Sequence, residues 1–279
     1  MSIAVQVGLI SGKTAALEVG LDDDVETLKH RAQIALGVGR GRLLNSAGSV
    51  VLDAGAPIKE SSVQDGDVPT LHVSLLQIQA SGRAFAAILG DGSVVTWGDA
   101  DFGGNSSAVQ DQLENVQQIQ ANDFAFAAIL NNGRVVTWGL AAYGGDSGAV
   151  QDQLKNVQQI QATYYAFAAI LADGAVVTWG YPHYGGDSTP VQDQLKNVQQ
   201  IQASGGAFCA CPVDGTVVTW GDARCGGLSS AVQSQLKNVQ QIQATRSAFA
   251  AILGDGSVVT WGDDDCGGDS SAVEDQLKN

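Results

Sequence analysis

The chain has 279 residues, which gives room for one large domain or two ordinary ones. It carries 14 basic and 29 acidic side chains, for a formal net charge of -15. This acidic excess argues against unassisted nucleic-acid binding, which needs Lys and Arg to replace phosphate counterions, and against attraction to an anionic membrane. No signal-peptide pattern opens the sequence, and no run of about 18 apolar residues occurs in it. We therefore expect a cytoplasmic protein without a signal peptide or transmembrane segment, with a nuclear location as the alternative.

Residues 1–74 predict a small α+β domain. The apolar segment SIAVQVGLI is followed by SGKTAALEV, and the two predict a pair of strands. The acidic residues 22–24 predict the N-terminal cap of a helix that runs to about Leu36, with Gly37 ending it. RLLNSAG (42–48) and TLHV (70–73) predict further strands. This order of elements indicates a β-grasp fold.

The segments GKT-x-x-LEV, RLL-x-x-AG and TLH resemble ubiquitin, and the resemblance extends over residues 1–74. The main recognition surface of ubiquitin is an apolar patch, which the resemblance places at Ile10, Leu44 and Ser74. Two of these three positions are apolar here. The resemblance implies that ubiquitin-pathway receptors are partners of this domain, through Ile10 and Leu44. TLHVSL runs directly into the next segment without a diglycine tail, so we do not expect conjugation as a modifier.

Residues 75–279 form five gapless repeats of 41 residues. Each repeat contains one QIQA segment, one VVTWG segment and one pair of glycines at the same spacing. The repeats span 75–115, 116–156, 157–197, 198–238 and 239–279. A fixed period of this length is typical of solenoids and propellers.

Three short segments in each repeat predict three strands. VQQIQA, AFAAIL and VVTWG are too short for helices, and an Asp-Gly or Asn-Gly pair before VVTWG favours a tight hairpin turn. AFAAIL and VVTWG are apolar on both faces, as in a sheet that lies between two neighbouring sheets. The pattern predicts propeller blades, with Phe85, Trp97 and their equivalents filling the gaps between the blades.

These segments resemble the repeats of the regulator of chromosome condensation, and their shortness is similar to the compact blades of propeller-type β-lactamase inhibitory proteins. The resemblance implies a mostly β chain: a ubiquitin-like β-grasp (α+β) domain followed by a five-repeat β-propeller. The familiar relatives have seven blades. Five repeats leave three arrangements open: a smaller closed ring, an open array, or a ring completed by another chain, which would make the protein an oligomer.

The repeats differ from one another mainly in two loops. The residues after QIQA are SGR, NDF, TYY, SGG and TRS, and those after VVTWG are DADF, LAAY, YPHY, DARC and DDDC. If the strands run up, down and up, both loops lie at the same end of each blade, opposite the Asp-Gly turns. Diverse loops on a rigid scaffold are a usual place for binding, and drift at tolerant positions is the alternative. The candidate partner-binding residues are Phe102, Phe124, Tyr143, Tyr164, Tyr165, Tyr181, His183, Tyr184, Arg224 and Arg246.

The sequence contains no motif that predicts catalysis: no P-loop, dinucleotide fingerprint, nucleophile elbow or HExxH. The acidic residues 263–265 lack EF-hand spacing. The four cysteines lie in the last two repeats, where no histidine accompanies them, and we expect free thiols rather than zinc ligands. We predict no catalytic residue, no metal and no cofactor.

Together these patterns predict a non-enzymatic interaction or scaffold protein that binds protein partners through the variable loops. The resemblance to ubiquitin implies, as one form of this role, an adaptor of the ubiquitin pathway. Three alternatives remain open at this point. The chain is a nucleotide-exchange regulator of a small GTPase, as the chromosome-condensation relative is; an enzyme inhibitor, as the β-lactamase inhibitors are; or a structural subunit of a larger assembly.

Overall fold

A computed structural model describes residues 1–73 and 75–277. The chain divides into two compact units, Met1–Gln77 with Ala87–Val95 and Ile78–Ala86 with Thr96–Asn279. The described part of the chain contains no helix that is long and apolar enough to cross a membrane. The fold is mostly β, with one four-stranded sheet and five three-stranded sheets in the described residues.

The four-stranded sheet lies in the first unit and has the strand order β2-β1-β4-β3. Its strands and the helix are β1 Ser2–Gly8, β2 Thr14–Gly20, α1 Val25–Leu36, β3 Arg42–Leu44 and β4 Thr70–His72. Strand β1 pairs antiparallel with β2 and parallel with β4, and β3 pairs antiparallel with β4. The core between the sheet and α1 includes Val5, Val7, Leu28 and Leu71, all almost fully buried.

The ends of α1 follow the prediction from sequence. Asp24 is the N-cap, and its side chain accepts a hydrogen bond from the backbone N–H of Thr27 at 2.7 Å. Gly37 ends the helix in the left-handed conformation, with φ 66°. RLLNSAG forms a shorter strand than expected, because β3 stops at Leu44 and a turn follows at Asn45, whose side chain accepts from the N–H of Ser49.

Each 41-residue repeat contains one three-stranded sheet, which we number sheets 1 to 5 in chain order. The strands of sheets 2 to 5 pair antiparallel. Sheet 1 contains β5 Gln77–Ala80, β6 Ala84–Ile88 and β7 Val94–Gly98. Sheet 2 contains β8 Val116–Ala121, β9 Ala125–Leu130 and β10 Val135–Gly139; sheet 3 contains β11 Val157–Ala162, β12 Ala166–Leu171 and β13 Val176–Gly180. Sheet 4 contains β14 Val198–Ala203, β15 Ala207–Pro212 and β16 Val218–Gly221; sheet 5 contains β17 Val239–Ala244, β18 Ala248–Leu253 and β19 Val258–Gly262. These small sheets are consistent with the blades of a propeller.

The contact between two successive sheets, which we call a joint, is built from the residues that the repeats share. At the joint of sheets 2 and 3, Phe167 and Trp179 stack at 5.2 Å and pack against the alanine face of sheet 2. The indole N–H of Trp179 donates to the carbonyl oxygen of Gly144 at 3.1 Å. Gly144 has φ 98°, and a Cβ there would lie 2.6 Å from the Phe167 ring, so the position requires glycine.

The same arrangement occurs at four joints. The indole N–H groups of Trp138, Trp220 and Trp261 each donate to the equivalent glycine carbonyl of the preceding sheet at 3.0 Å. These tryptophans and Trp179 are at most 5% exposed. The prediction that they pack between sheets agrees with their positions.

Sheet 1 departs from this prediction. Phe85 is 43% exposed and Trp97 is 45% exposed, although both occupy the same positions as their buried equivalents. Within the described residues, no preceding three-stranded sheet covers this side of sheet 1. The expectation that all five Phe–Trp pairs fill gaps between sheets is therefore wrong for the first pair.

Candidate functional site

Both variable loops of each repeat lie at the same end of the sheet, and we call this end the rim. At every sheet, the side chain of the first residue after QIQA connects the two loops by hydrogen bonds. In sheet 2, the side chain of Asn122 accepts from the N–H of Ala125 at 2.7 Å and donates to the carbonyl of Tyr143 at 2.7 Å. The equivalent hydroxyl groups donate to the equivalent carbonyls at 2.7–3.0 Å, and these residues are Ser81, Thr163, Ser204 and Thr245.

Backbone hydrogen bonds also connect the rim loops of successive sheets. The N–H of Gly82 donates to the carbonyl oxygen of Asp123 at 2.8 Å. The N–H of Asp123 in turn donates to the carbonyl oxygen of Tyr164 at 3.3 Å. In the same way, the N–H of Tyr164 donates to the carbonyl oxygen of Gly205 at 2.9 Å, and the N–H of Gly205 donates to the carbonyl oxygen of Arg246 at 2.7 Å. The rim is therefore braced both within and between sheets, which fixes the positions of its side chains.

The structure brings the aromatic candidates of sheets 1 to 3 into one continuous cluster, which we call the aromatic rim. Phe124 lies at its centre, with ring centroids 4.9 Å from Phe102, 4.7 Å from Tyr143 and 5.4 Å from Tyr165. Tyr165 in turn contacts Tyr184 at 4.5 Å. Ring contacts of 5.8–6.2 Å add Tyr164, Tyr181 and His183.

The cluster ends at sheet 4, where Gly206 and Cys225 replace its aromatic residues. A Cβ on Gly206 would lie 2.9 Å from the Cys225 sulfur and 3.1 Å from the Tyr184 ring. A side chain at Gly206 would therefore collide with Cys225 and Tyr184, so no aromatic residue continues the cluster at this position. Two arginines flank the cluster, because Arg83 lies over the Phe102 ring at 4.8 Å and Arg246 over the Tyr164 ring at 5.6 Å.

A cavity of about 380 Å³ opens where the rim ends of the QIQA strands meet. All five sheets contribute to its lining, which includes Ser81, Asp123, Tyr164, Gly205 and Arg246.

Burial raises the pKa of Asp123, and the positive charge of Arg246 opposes this shift. Burial, followed by the neighbouring Tyr184, also raises the pKa of Tyr165, so its hydroxyl stays a donor at neutral pH.

A groove of about 760 Å³ lies at the side of the aromatic rim, between sheets 3 and 4. Its lining includes Tyr181, His183 and Tyr184 from the loop of sheet 3 and Arg224 from the loop of sheet 4. Arg224 is held by Asp222 at 2.8 Å, which leaves the opposite face of its guanidinium toward solvent. The groove is therefore lined by aromatic side chains and by the ion pair of Arg224 with Asp222.

Eight aromatic candidates from the sequence therefore lie together, with Arg246 at the cavity and Arg224 in the groove. Sequence reasoning missed Asp123 as a half-buried acid of the cavity. It also missed the bracing role of Asn122 and its equivalents, although a Ser, Thr or Asn at this position of every repeat is a readable signal.

In the first unit, Ile10 lies in the turn after β1 and is 78% exposed, and Leu44 ends β3 and is half-buried. Ser74 lies outside the described residues. The role of this patch stays a prediction.

The four cysteines are free thiols in the structure. Burial raises the pKa of Cys209 well above its usual value and raises that of Cys211 to about 11, so both stay protonated and unreactive at neutral pH. Within residues 1–73 and 75–277, no group of three His, Cys, Asp or Glu side chains has the geometry to hold a metal ion.

No family model and no curated protein matches the chain. Among solved structures, the chain is similar to human WBSCR16, with a TM-score of 0.45, 18% identity and coverage of 70% of this chain and 65% of that one. It is also similar to Prp20p from Saccharomyces cerevisiae, with a TM-score of 0.46, 20% identity and coverage of 67% and 56%. The ectodomain of the Physcomitrella patens receptor kinase CR4 gives a TM-score of 0.45 and 17% identity, with coverage of 68% and 52%. The chain spans less than two thirds of the length of each of these structures.

Proposed function

We propose that the chain is a non-enzymatic interaction protein, a five-repeat β-propeller that binds a protein partner through the aromatic rim. The observation that carries this proposal is the position of the aromatic residues. They occur in the two loops where the repeats differ, while the strands below them are almost identical. In the structure these separate loops supply one continuous set of rings.

Tyrosine-rich surfaces suit protein binding because the ring buries a large apolar area while the hydroxyl keeps a hydrogen-bond partner. Tyr and Arg are also enriched among the residues that dominate interface energies. The braced loops hold the rings in place before binding, which lowers the entropy that association must overcome. A preformed, partly exposed tyrosine surface therefore favours a protein ligand.

Charge indicates the kind of partner. The chain has a net charge of -15, and exposed acidic residues such as Asp101 and Asp187 border the aromatic rim. A partner surface with Lys or Arg side chains is attracted by this field and can place its cations over the tyrosine faces. We propose a basic segment of a protein as the ligand.

The second part of the proposal assigns residues 1–74 to a ubiquitin-like domain that binds ubiquitin-pathway receptors, which makes the chain an adaptor. The strand order β2-β1-β4-β3, the parallel pairing of β1 with β4 and the single helix support this assignment. The exposed Ile10 and the half-buried Leu44 supply an apolar docking surface on this unit.

The rim is tested by capturing partners from cell extract and measuring the affinity of the purified partner for designed variants. We expect the double change Tyr164→Ala with Tyr165→Ala to weaken binding by about 30-fold, and Tyr165→Phe to keep most of it. Val213→Ala is the matched control, because Val213 is exposed in a hairpin turn at the opposite end of sheet 4. Binding that the double change leaves within about twofold of wild type would contradict the proposal.

The adaptor role is tested with the same extract and Ile10→Asp. We expect this change to remove ubiquitin-binding proteins from the captured set while rim partners remain. Ile34→Asp is the control, since Ile34 is an exposed isoleucine on α1 of the same unit. Failure of the wild-type chain to recover any ubiquitin-binding protein would remove the adaptor half and leave the rim proposal intact.

A further inference from the structure

The array of sheets presents two open faces. The first face is the side of sheet 1 that carries Ile78, Phe85 and Trp97, and the last face is the side of sheet 5 that carries Ile252 and Gly267. Ile78 is 52% exposed and Ile252 is 40% exposed. Their equivalents inside the array include Ile160 and Ile170, which are almost completely buried at joints. Each open face is therefore half of a joint.

The first face already has the geometry of a joint. Phe85 and Trp97 stack with their centroids 5.3 Å apart and their planes at 18°. The four buried pairs stack at 5.2–5.4 Å and 13–26°. The rings of the first face thus need no rearrangement to pack against a sheet.

The last face offers the complementary half. Gly267 has φ 98°, the same value as Gly144, which accepts the indole N–H of Trp179 at a buried joint. At the four joints a phenylalanine ring lies within 2.6 Å of where the glycine Cβ would be, whereas no described residue lies within 4 Å of that point at Gly267. What this face lacks is a phenylalanine ring and an indole donor, and the first face has both.

We propose that copies of this chain associate head to tail, with the first face of one copy packed on the last face of another. Trp97 of one copy donates to the Gly267 carbonyl of the second copy, and the Phe85 ring covers the same glycine. The new contact continues the joint that the chain already uses four times. It goes beyond the proposed function, because it uses the joint faces and not the aromatic rim.

Charge favours this pairing at the rim edge of the new joint. At internal joints the third residue after QIQA contacts the loop of the preceding sheet: Phe124 stacks on Phe102 at 4.9 Å, and Ser247 lies 3.9 Å from the Cys225 sulfur. The equivalent residue on the first face is Arg83, and its counterpart on the last face is Cys266. The three residues before Cys266 are all aspartates, so the arginine of one copy meets an acidic loop of the other.

The two faces differ from each other, so the interface is heterologous, and such interfaces close into rings or extend into chains of copies. Both faces are exposed in the same structure, so neither covers the other within one chain. A second copy supplies both missing halves at once.

Sedimentation velocity over a range of protein concentrations tests the association. We expect the mass to rise above the 28.7 kDa of one chain with concentration, and Trp97→Glu and Ile252→Glu each to weaken association by about 100-fold. Val213→Glu is the control, because it adds the same charge at an exposed apolar residue in the hairpin turn of sheet 4. A wild-type chain that stays monomeric at every concentration, or association that both face variants leave unchanged, would overturn the proposal.

Mixing the two face variants identifies the head-to-tail geometry. Trp97→Glu keeps the last face and Ile252→Glu keeps the first, so the mixture has one intact joint. We expect each variant alone to be monomeric and the equimolar mixture to form a dimer and nothing larger. A mixture that stays monomeric would contradict the pairing of these two faces.

A disulfide trap distinguishes a second copy from the chain's own other end. Under mild oxidation we expect Arg83→Cys to form a bond with Cys266 between copies, seen as ladders on a non-reducing gel, and to lose them when Cys266→Ser is added. A monomer with an internal Arg83→Cys to Cys266 crosslink would show that the two ends meet within one chain, and would overturn the proposal.

Discussion

Trp97 and Trp179 occupy the same position in two identical VVTWG strands, yet one is 45% exposed and the other 4%. Both stack on a phenylalanine of the neighbouring strand, at 5.3 and 5.2 Å. The difference lies outside the strand: sheet 2 covers Trp179, and no described three-stranded sheet covers Trp97. In a repeat protein, local sequence therefore determines the form of a face, and the neighbouring repeat determines its burial.

The largest expected contrast is in stability. Trp179→Ala removes a buried indole and its hydrogen bond to Gly144, and we expect it to lower the free energy of unfolding by about 3–5 kcal/mol. Trp97→Ala removes a half-exposed ring and is expected to cost less than about 1 kcal/mol. Denaturant unfolding of dilute protein measures both. Equal losses would show that the first face is covered in the single chain.

A second contrast compares two glycines with the same backbone conformation. Gly144 and Gly267 both have φ 98°, so an alanine is strained by a similar amount at either position. At Gly144 the added Cβ would also lie 2.6 Å from the Phe167 ring, whereas the corresponding space at Gly267 holds no described atom within 4 Å. We expect Gly144→Ala to be about 1–3 kcal/mol more destabilising than Gly267→Ala in the same unfolding experiment. A difference near zero would contradict an open last face.

A third contrast concerns thiol reactivity at equivalent positions. Cys211 is buried at the joint of sheets 4 and 5, with its pKa raised to about 11, and Ile252 is its exposed equivalent in sheet 5. A raised pKa leaves about one thiol in 1,000 ionised at pH 8, so alkylation of Cys211 is slow and speeds up as the pH rises toward that pKa. We expect the thiol of Ile252→Cys to react about 100-fold faster at pH 8 in dilute protein.

Mass spectrometry of labelled peptides measures both rates. Labelling of the same variant in denaturant is the control, because both thiols should then react alike. Equal rates in the folded protein would mean that the thiol of Ile252→Cys is as buried as that of Cys211, which would contradict an open last face.

Much of the fold can be read from the sequence because its signals are local. The cap at Asp24, the stop at Gly37 and the Asp-Gly turns each depend on a few neighbouring residues. The shared rim position of the two variable loops follows from strand alternation, and the structure places Phe124 beside Tyr143 accordingly.

The exposure of Phe85 and Trp97 could not be read in this way. Their repeat has the same AFAAIL and VVTWG segments as the buried ones, and burial depends on a neighbour that the segment does not encode. The hydrogen bonds between rim loops were missed for a related reason, because they join backbone groups of different repeats and leave no side-chain signal.

Acrylamide quenching of tryptophan fluorescence tests most directly the central claim that the first face is open in one chain and closed by another. In dilute wild-type protein we expect one readily quenched class of tryptophan, which Trp97→Phe removes and which becomes protected as the concentration rises. The four tryptophans at joints should stay poorly quenched throughout. A dilute wild-type protein without a readily quenched class would show that the chain covers its own first face and would contradict the account.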